Sequence, residues 1–159
     1  MVNGGYGLLV PRRSPFTSDR LLKTVNAFHD SVLRVTRGRV GWSADGMPVL
    51  RLTTVGRRSG QLRTVLLSSP IQFGDEWIVV GSKGGGERHA DWFVNLRADP
   101  RVTVETKKYG VRTVTARIAT PEQKAEWWPQ AVAKFRHYGE FQSRTTRDIP
   151  MVVLKVSGD

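Results

Sequence analysis

"MPVLRLTTVGRRSGQLRTVLLSSPIQFGDEWIVVGS", residues 47–82, alternates apolar and polar side chains with a period of two, and that period decides the fold. Successive side chains leave a pleated strand on opposite faces, whereas a helix repeats every 3.6 residues. The stretch divides into strands at 47–54, 63–73 and 76–82, and Gly74 and Asp75 supply a two-residue hairpin turn between the last two. Downstream, "RVTVETK" (101–107) and "VRTVTARIA" (111–119) repeat the pattern around a turn at Lys108, Tyr109 and Gly110, and "PMVVLKV" (150–156) reads as a final strand. About six antiparallel strands are expected.

Three segments carry the helical period instead. In "LLKTVNAFHDSVLRV" (21–35), Leu21, Val25, Phe28, Val32 and Val35 share one side, with Lys23, Asn26, Asp30 and Arg34 on the other. That face either packs on the domain's own core or lies on a membrane surface. "ADWFVNLRA" (90–98) is a short helix stopped by Asp99 and Pro100. From Pro121 to His137 runs a third, with Thr120 as cap, Pro121 in its first turn and Gln123 completing a capping box. Residues 1–18 carry Gly, Pro, Ser and Arg without periodicity and are expected as a mobile arm ahead of one domain at 19–159. Hairpins with one helix ahead and one before the last strand do not alternate as βαβ units. The fold class expected is therefore mostly β with helices (α+β), as a small antiparallel barrel whose closure removes exposed edges.

Composition narrows the chemistry. A chain of 159 residues with 39% hydrophobic content builds one core. No apolar run is long enough to span a bilayer and the N-terminus lacks signal-peptide organisation, so a cytoplasmic protein is expected, with helix 21–35 as the route to peripheral contact at the inner face of the membrane. Cysteine is absent, which excludes disulfides, thiolate nucleophiles and cysteine-ligated metals, and leaves redox chemistry to a bound organic cofactor. His29, His89 and His137 have no metal-ligand spacing, so no metal site is expected. A net charge of +11, concentrated ahead of residue 121, asks for an anionic partner: nucleic acid, acidic lipid or a polyanionic small molecule.

Two glycine-bearing loops are the places to seek that partner. "TTVGRRSGQLR" (53–63) gathers Arg57, Arg58, Ser59, Gly60 and Arg63 with no acid among them. Arginine forks match phosphate and carboxylate oxygens in pairs, so the loop is either an anion site or a solvated hairpin tip. Walker spacing is missing. In "SKGGGERHADWFVNLRADP" (82–100), Ser82, Lys83, Gly84 and Gly85 offer backbone donors and a cation, while Trp92 and Asn95 share a helix face. A tryptophan beside an amide suits a planar heterocycle; Trp92 serves equally as a core plug. Phe135, Tyr138 and Phe141 fall at three-residue intervals, with Tyr138 the one that suits a pocket.

Four segments, "LRLTTVGRRSGQLRTVLL", "WIVVGSKGGGERHADWFVNLRADPRVTV", "ATPEQKAEWWPQAVAKF" and "RTTRDIPMVVLKV", stand in an order and spacing that resembles the deazaflavin (coenzyme F420)-dependent nitroreductase family of actinobacteria. The resemblance covers about residues 21–156. It implies an FMN-binding-like split β-barrel and hydride transfer from reduced coenzyme F420 to an electron-poor acceptor, a quinone, enone or nitro compound. It also implies that Arg57, Arg58, Ser59, Gly60 and Arg63 hold the coenzyme's phosphate and glutamate tail. Val80, Gly81, Ser82, Lys83, Gly84 and Gly85, with Trp92 and Asn95, would then hold the ring. The family more often has lysine at the place of Arg58, and several tyrosines where Phe135, Tyr138 and Phe141 stand. By that resemblance Tyr138 donates a hydrogen bond or proton to the acceptor, and Ser68, Phe135 and Phe141 line it. Those departures weigh against nitro-compound reduction and leave cofactor use intact. Two rivals stand beside this reading. A nucleic-acid-binding barrel calls for aromatics interleaved with Lys and Arg along strands that are instead rich in Val, Leu and Ile. A split barrel with FMN or haem differs only in the bound group.

Overall fold

The computed structural model describes residues 41–158, so the expected arm at 1–18 and helix at 21–35 lie outside the described residues. Among the described residues, nine strand segments and three helices follow in order: β1 (Ser43–Ala44), β2 (Met47–Val55), β3 (Leu62–Ser68), β4 (Ile71–Phe73), β5 (Glu76–Val80), a 3₁₀ turn (Lys83–Gly85), α1 (Asp91–Ala98), β6 (Arg101–Thr106), β7 (Gly110–Thr115), β8 (Arg117–Ile118), α2 (Pro121–Lys134), α3 (His137–Ser143) and β9 (Met151–Lys155). All strand pairs are antiparallel. One sheet runs β1-β2-β6-β7 with β3 also on β2, and the other runs β4-β5-β9-β8.

Among the described residues no ladder joins the two sheets, so the barrel is split, and the expectation of full closure is corrected. The reason lies in the segment expected as one strand at 63–73. It breaks at Ser69 and Pro70, and its two parts pair with different partners, β3 with β2 and β4 with β5. Proline has no N–H to continue a ladder. Ser69 is fully buried, and its hydroxyl lies 2.9 Å from the Ile71 carbonyl oxygen and 2.8 Å from that of Ile78, which fixes the corner.

Between the sheets sits the first core: Leu50 and Leu52 of β2, Val102 and Val104 of β6 and Val114 of β7 meet Val79, Val152 and Leu154, with Trp92, Phe93 and Leu96 of α1. The opposite face of the second sheet presents Ile78, Val80, Met151 and Val153 to Trp127 and Ala131 of α2 and to Tyr138 of α3. That two-sided burial explains why β9 reads as an unbroken apolar run rather than an alternating one. Each such side chain contributes about 1.5–3 kcal/mol relative to exposure. The capping box on α2 forms as expected, Gln123 N donating to Thr120 Oγ1 (3.2 Å) and Thr120 N to Gln123 Oε1 (3.1 Å). The helix stops at Lys134 rather than His137, because Phe135 leaves helical geometry and the chain restarts as α3.

Candidate active site

The tip of the β2–β3 hairpin is closed by Gly56 N donating to Gln61 O and Gly60 N to Gly56 O, both at 2.8 Å. Ser59 Oγ accepts from Gln61 N at 3.2 Å, so this hydroxyl shapes the turn. Arg57, Arg58 and Arg63 are exposed, and among the described residues no carboxylate pairs with any of them. Arg63 Nη2 donates to Gln61 Oε1 at 3.1 Å. Among the described residues the loop is cationic and unneutralised.

Asn95 turns out to be the bolt behind it. Only 4% exposed, its Oδ1 accepts from Arg57 N (3.2 Å) and Arg57 Nη1 (3.4 Å), and its Nδ2 donates to Thr54 Oγ1 (3.2 Å). Trp92, 9% exposed, stands edge-on to Phe93 in the first core. In the described structure the helix face that Trp92 and Asn95 share is turned to protein: Trp92 to the core and Asn95 to Arg57 and Thr54. An eight-residue helix has to spend that face on the core beneath it.

The glycine loop has an unusual backbone. Lys83, Gly84 and Gly85 all take left-handed φ values, 46°, 61° and 80°, and for Lys83 that conformation is strained. A Cβ on Gly85 would fall 2.5 Å from the Phe141 carbonyl oxygen of α3, and one on Gly81 would fall 2.8 Å from Pro150 Cγ. These two glycines therefore admit a close approach of the protein's own chain, at Phe141 and at Pro150. Val80, expected at the ring, is a buried member of the second core. Ser82 and Lys83 are half-buried and are the reachable part of the loop.

One residue was missed. Arg147 donates from Nε to Gly86 O (2.8 Å), from Nη1 to Gly81 O (3.2 Å) and from Nη2 to Ser82 O (2.6 Å). No periodicity marks it; the only signal is that a coil loop rich in glycine must find donors for its carbonyls. His89 Nδ1 lies 3.4 Å from Arg147 Nη1, and its ring is 4.9 Å from that of Phe93. Burial first, then the charges of Arg147 and Arg97, hold His89 below the ordinary imidazole value.

On the far side of the glycine loop lies α3. Tyr138 is 5% exposed, and its hydroxyl donates to Met47 Sδ at 3.5 Å. His137, Phe141, Phe135 and Trp128 surround its ring at 4.4, 6.3, 6.4 and 6.4 Å. In the described structure the three-residue spacing brings Phe135, Tyr138 and Phe141 into one aromatic cluster. Burial, and secondarily Asp45, push this phenol well above its ordinary value. Phe135 and Phe141 remain half-buried beside it. Ser68 ends β3 opposite Val49, two residues along β2 from the Met47 that receives the Tyr138 hydroxyl. Among the described residues no cluster of three metal-ligating side chains occurs, and no helix is long and apolar enough to cross a membrane.

A family model described as F420H(2)-dependent quinone reductase matches residues 26–156. The chain belongs to that family. The F420H(2)-dependent quinone reductase Rv1261c of Mycobacterium tuberculosis is 36% identical over 129 residues, covering 79% of this chain and 86% of its own length. A putative F420H(2)-dependent quinone reductase of the same organism, Rv3178, is 29% identical over 109 residues, covering 69% and 90%. Among solved structures, F420-H2 dependent reductase FDR-A superposes with a TM-score of 0.57 at 35% identity, covering 67% of this chain and 93% of its own. As a member of the quinone reductase family, the chain is an oxidoreductase that passes hydride from reduced coenzyme F420 to a quinone-type acceptor. Its two-sheet architecture is that of the family's split barrel.

Proposed function

We propose that the arginine hairpin takes the phosphate and glutamate tail of coenzyme F420, that the Ser82–Lys83 end of the glycine loop takes the ring side, and that α3 faces the quinone. The observation that carries this reading is the pair of loops joined through one buried amide. Asn95 bolts the unneutralised arginine hairpin to α1, the helix into which the glycine loop runs. The donor set suits the coenzyme's chemistry: Arg58 and Arg63 offer charged forks for carboxylate and phosphate oxygens, and Lys83 adds a point charge at the other loop. Arg57 contributes less, since Asn95 already engages it. When bound, the reduced deazaflavin supplies a hydride from C5.

The chain's own residues orient the partners and exclude water. Tyr138 exchanges Met47 Sδ for the acceptor oxygen, an exchange that costs little because a thioether is a weak acceptor. Its raised pKa keeps the phenol protonated, so it acts as a hydrogen-bond donor to the oxygen on which negative charge develops. Phe135 and Phe141 supply an apolar wall, and Ser68 leaves room at the opposite side. That lining favours a quinone or enone over a nitro compound. Residues 21–35, amphipathic in sequence, bring the protein to the cytoplasmic face of the membrane, where apolar quinones reside.

The test is a binding comparison. Coenzyme F420 should bind more tightly than FMN, and Arg58→Glu should weaken coenzyme F420 by about five- to thirtyfold, equivalent to roughly 1–2 kcal/mol for a reversed, solvent-screened charge. High salt should weaken the wild type in the same direction. Equal affinity for the two cofactors, or indifference to salt, refutes the assignment of the tail to this hairpin.

A further inference from the structure

Arg147 lies in the strap between α3 and β9 and belongs to neither. Its guanidinium gathers three carbonyls of the glycine loop, those of Gly81, Ser82 and Gly86. Among the described residues it has no carboxylate partner: Asp148, next in sequence, is engaged by Lys124 of α2. A half-buried guanidinium that spends its donors on main-chain oxygens is set there for geometry, not for charge pairing.

The geometry has a direct consequence for the loop's other face. A trans peptide points its N–H away from its C=O, and the described backbone contains no cis peptide. Drawing the Gly81 and Ser82 carbonyls onto Arg147 therefore turns the N–H groups of Ser82 and Lys83 away from it, towards the side opposite the strap. The same grip holds the loop where Lys83 takes its left-handed φ of 46°. Arg147 is anchored at its main chain too. Gln142 Nε2 of α3 donates to the Arg147 carbonyl oxygen at 2.9 Å, and Gln142 Oε1 accepts from Ile149 N at 3.2 Å. The side chain thus grips the glycine loop while the main chain is fastened to the helix that carries Tyr138.

We propose that Arg147 is a positioning residue: it holds the glycine loop in the form that receives the deazaflavin ring and fixes that loop against α3, setting ring affinity and hydride-transfer rate without touching the coenzyme's tail. This rests on the ring-side assignment above. It separates two kinds of arginine in one protein, one kind holding the ligand's tail and the other holding the loop that meets the ring.

The experiment uses the full chain and two ligands, coenzyme F420 and the tail-less deazaflavin that carries only the ring and ribityl group. Arg147→Met keeps much of the side-chain volume and removes every donor; it should weaken both ligands by the same factor, about tenfold or more, because misplacement of a binding loop is felt by the ring itself. Turnover with a quinone at saturating cofactor should fall as well. Arg147→Lys, which keeps the charge but reaches fewer carbonyls, should recover part of both losses and guards against a Met variant that does not fold. Arg58→Glu, by contrast, should weaken coenzyme F420 and leave the tail-less ligand unchanged. Arg147 variants that are folded at the assay temperature and bind the tail-less ring as tightly as wild type overturn the inference alone. A wild-type chain that binds neither deazaflavin overturns the ring-side assignment and the inference with it.

Discussion

Replacing Gly85 by alanine tests how tightly the glycine loop and α3 are joined. Two costs add. At φ 80° an alanine sits in the left-handed region, at about 1–2 kcal/mol. Its Cβ would also meet the Phe141 carbonyl oxygen at 2.5 Å, the Phe141 Cα at 3.1 Å and the Arg144 Cβ at 3.0 Å. Main-chain atoms cannot rotate away as a side-chain tip does, so α3 or the loop must shift, at about 1–3 kcal/mol. Gly60→Ala is the matched control, with φ 67° and nothing within 4 Å of the new Cβ. The entropy that alanine removes from the unfolded chain is common to both variants and cancels between them. Thermal unfolding by circular dichroism should place Gly85→Ala on the order of 10 °C below wild type, at roughly 2–4 °C per kcal/mol for a chain of this size. Gly60→Ala should lose a few degrees. If the two variants melt together, the close approach of loop and helix is not a real constraint and the coupling through Arg147 loses its structural basis.

Asn95→Ala removes the acceptor for Arg57 and the donor to the buried Thr54 hydroxyl; it should cost about 1–3 kcal/mol in urea unfolding and weaken coenzyme F420 binding through a loosened hairpin. Tyr138→Phe should leave cofactor affinity unchanged and reduce quinone turnover, by up to about 100-fold if the hydroxyl donates as charge develops; unchanged turnover would make it lining only. His89 is held below its ordinary value of 6.5, so its contribution to stability is present above that pH and is lost as pH falls through 6.5 towards the folded value. His89→Gln should therefore show a smaller drop in melting temperature between pH 7 and pH 5 than wild type does.

What the sequence made legible was local. The strand period around 47–55, the hairpin turn at Gly74 and Asp75 and the capping box at Thr120 and Gln123 depend on neighbours a few residues away, and each is found in the structure. Pro70 carried a readable warning inside the strand expected at 63–73, but the period of two runs straight across it. The glycines were harder. That Gly81 and Gly85 needed bare backbone was visible; what occupied the space, Pro150 and Phe141, lies far along the chain, and a ligand and a returning helix leave the same local signature. Trp92 and Asn95 were placed on one face correctly, but whether that face meets a ring or a core is decided by β2 and β6, not by α1. Tyr138 shows the same ambiguity, because aromatic residues three apart suit a cluster as readily as a lid.

The placement of β9 bears on how this protein is made. It lies between β5 and β8 and contributes Val152 and Leu154 to one core and Met151 and Val153 to the other. Until residues 151–155 have left the ribosome, β5 has one edge bare and neither apolar layer is complete, although every other described strand is already synthesised. The last strand therefore covers the bare edge of β5 and completes both apolar layers at once.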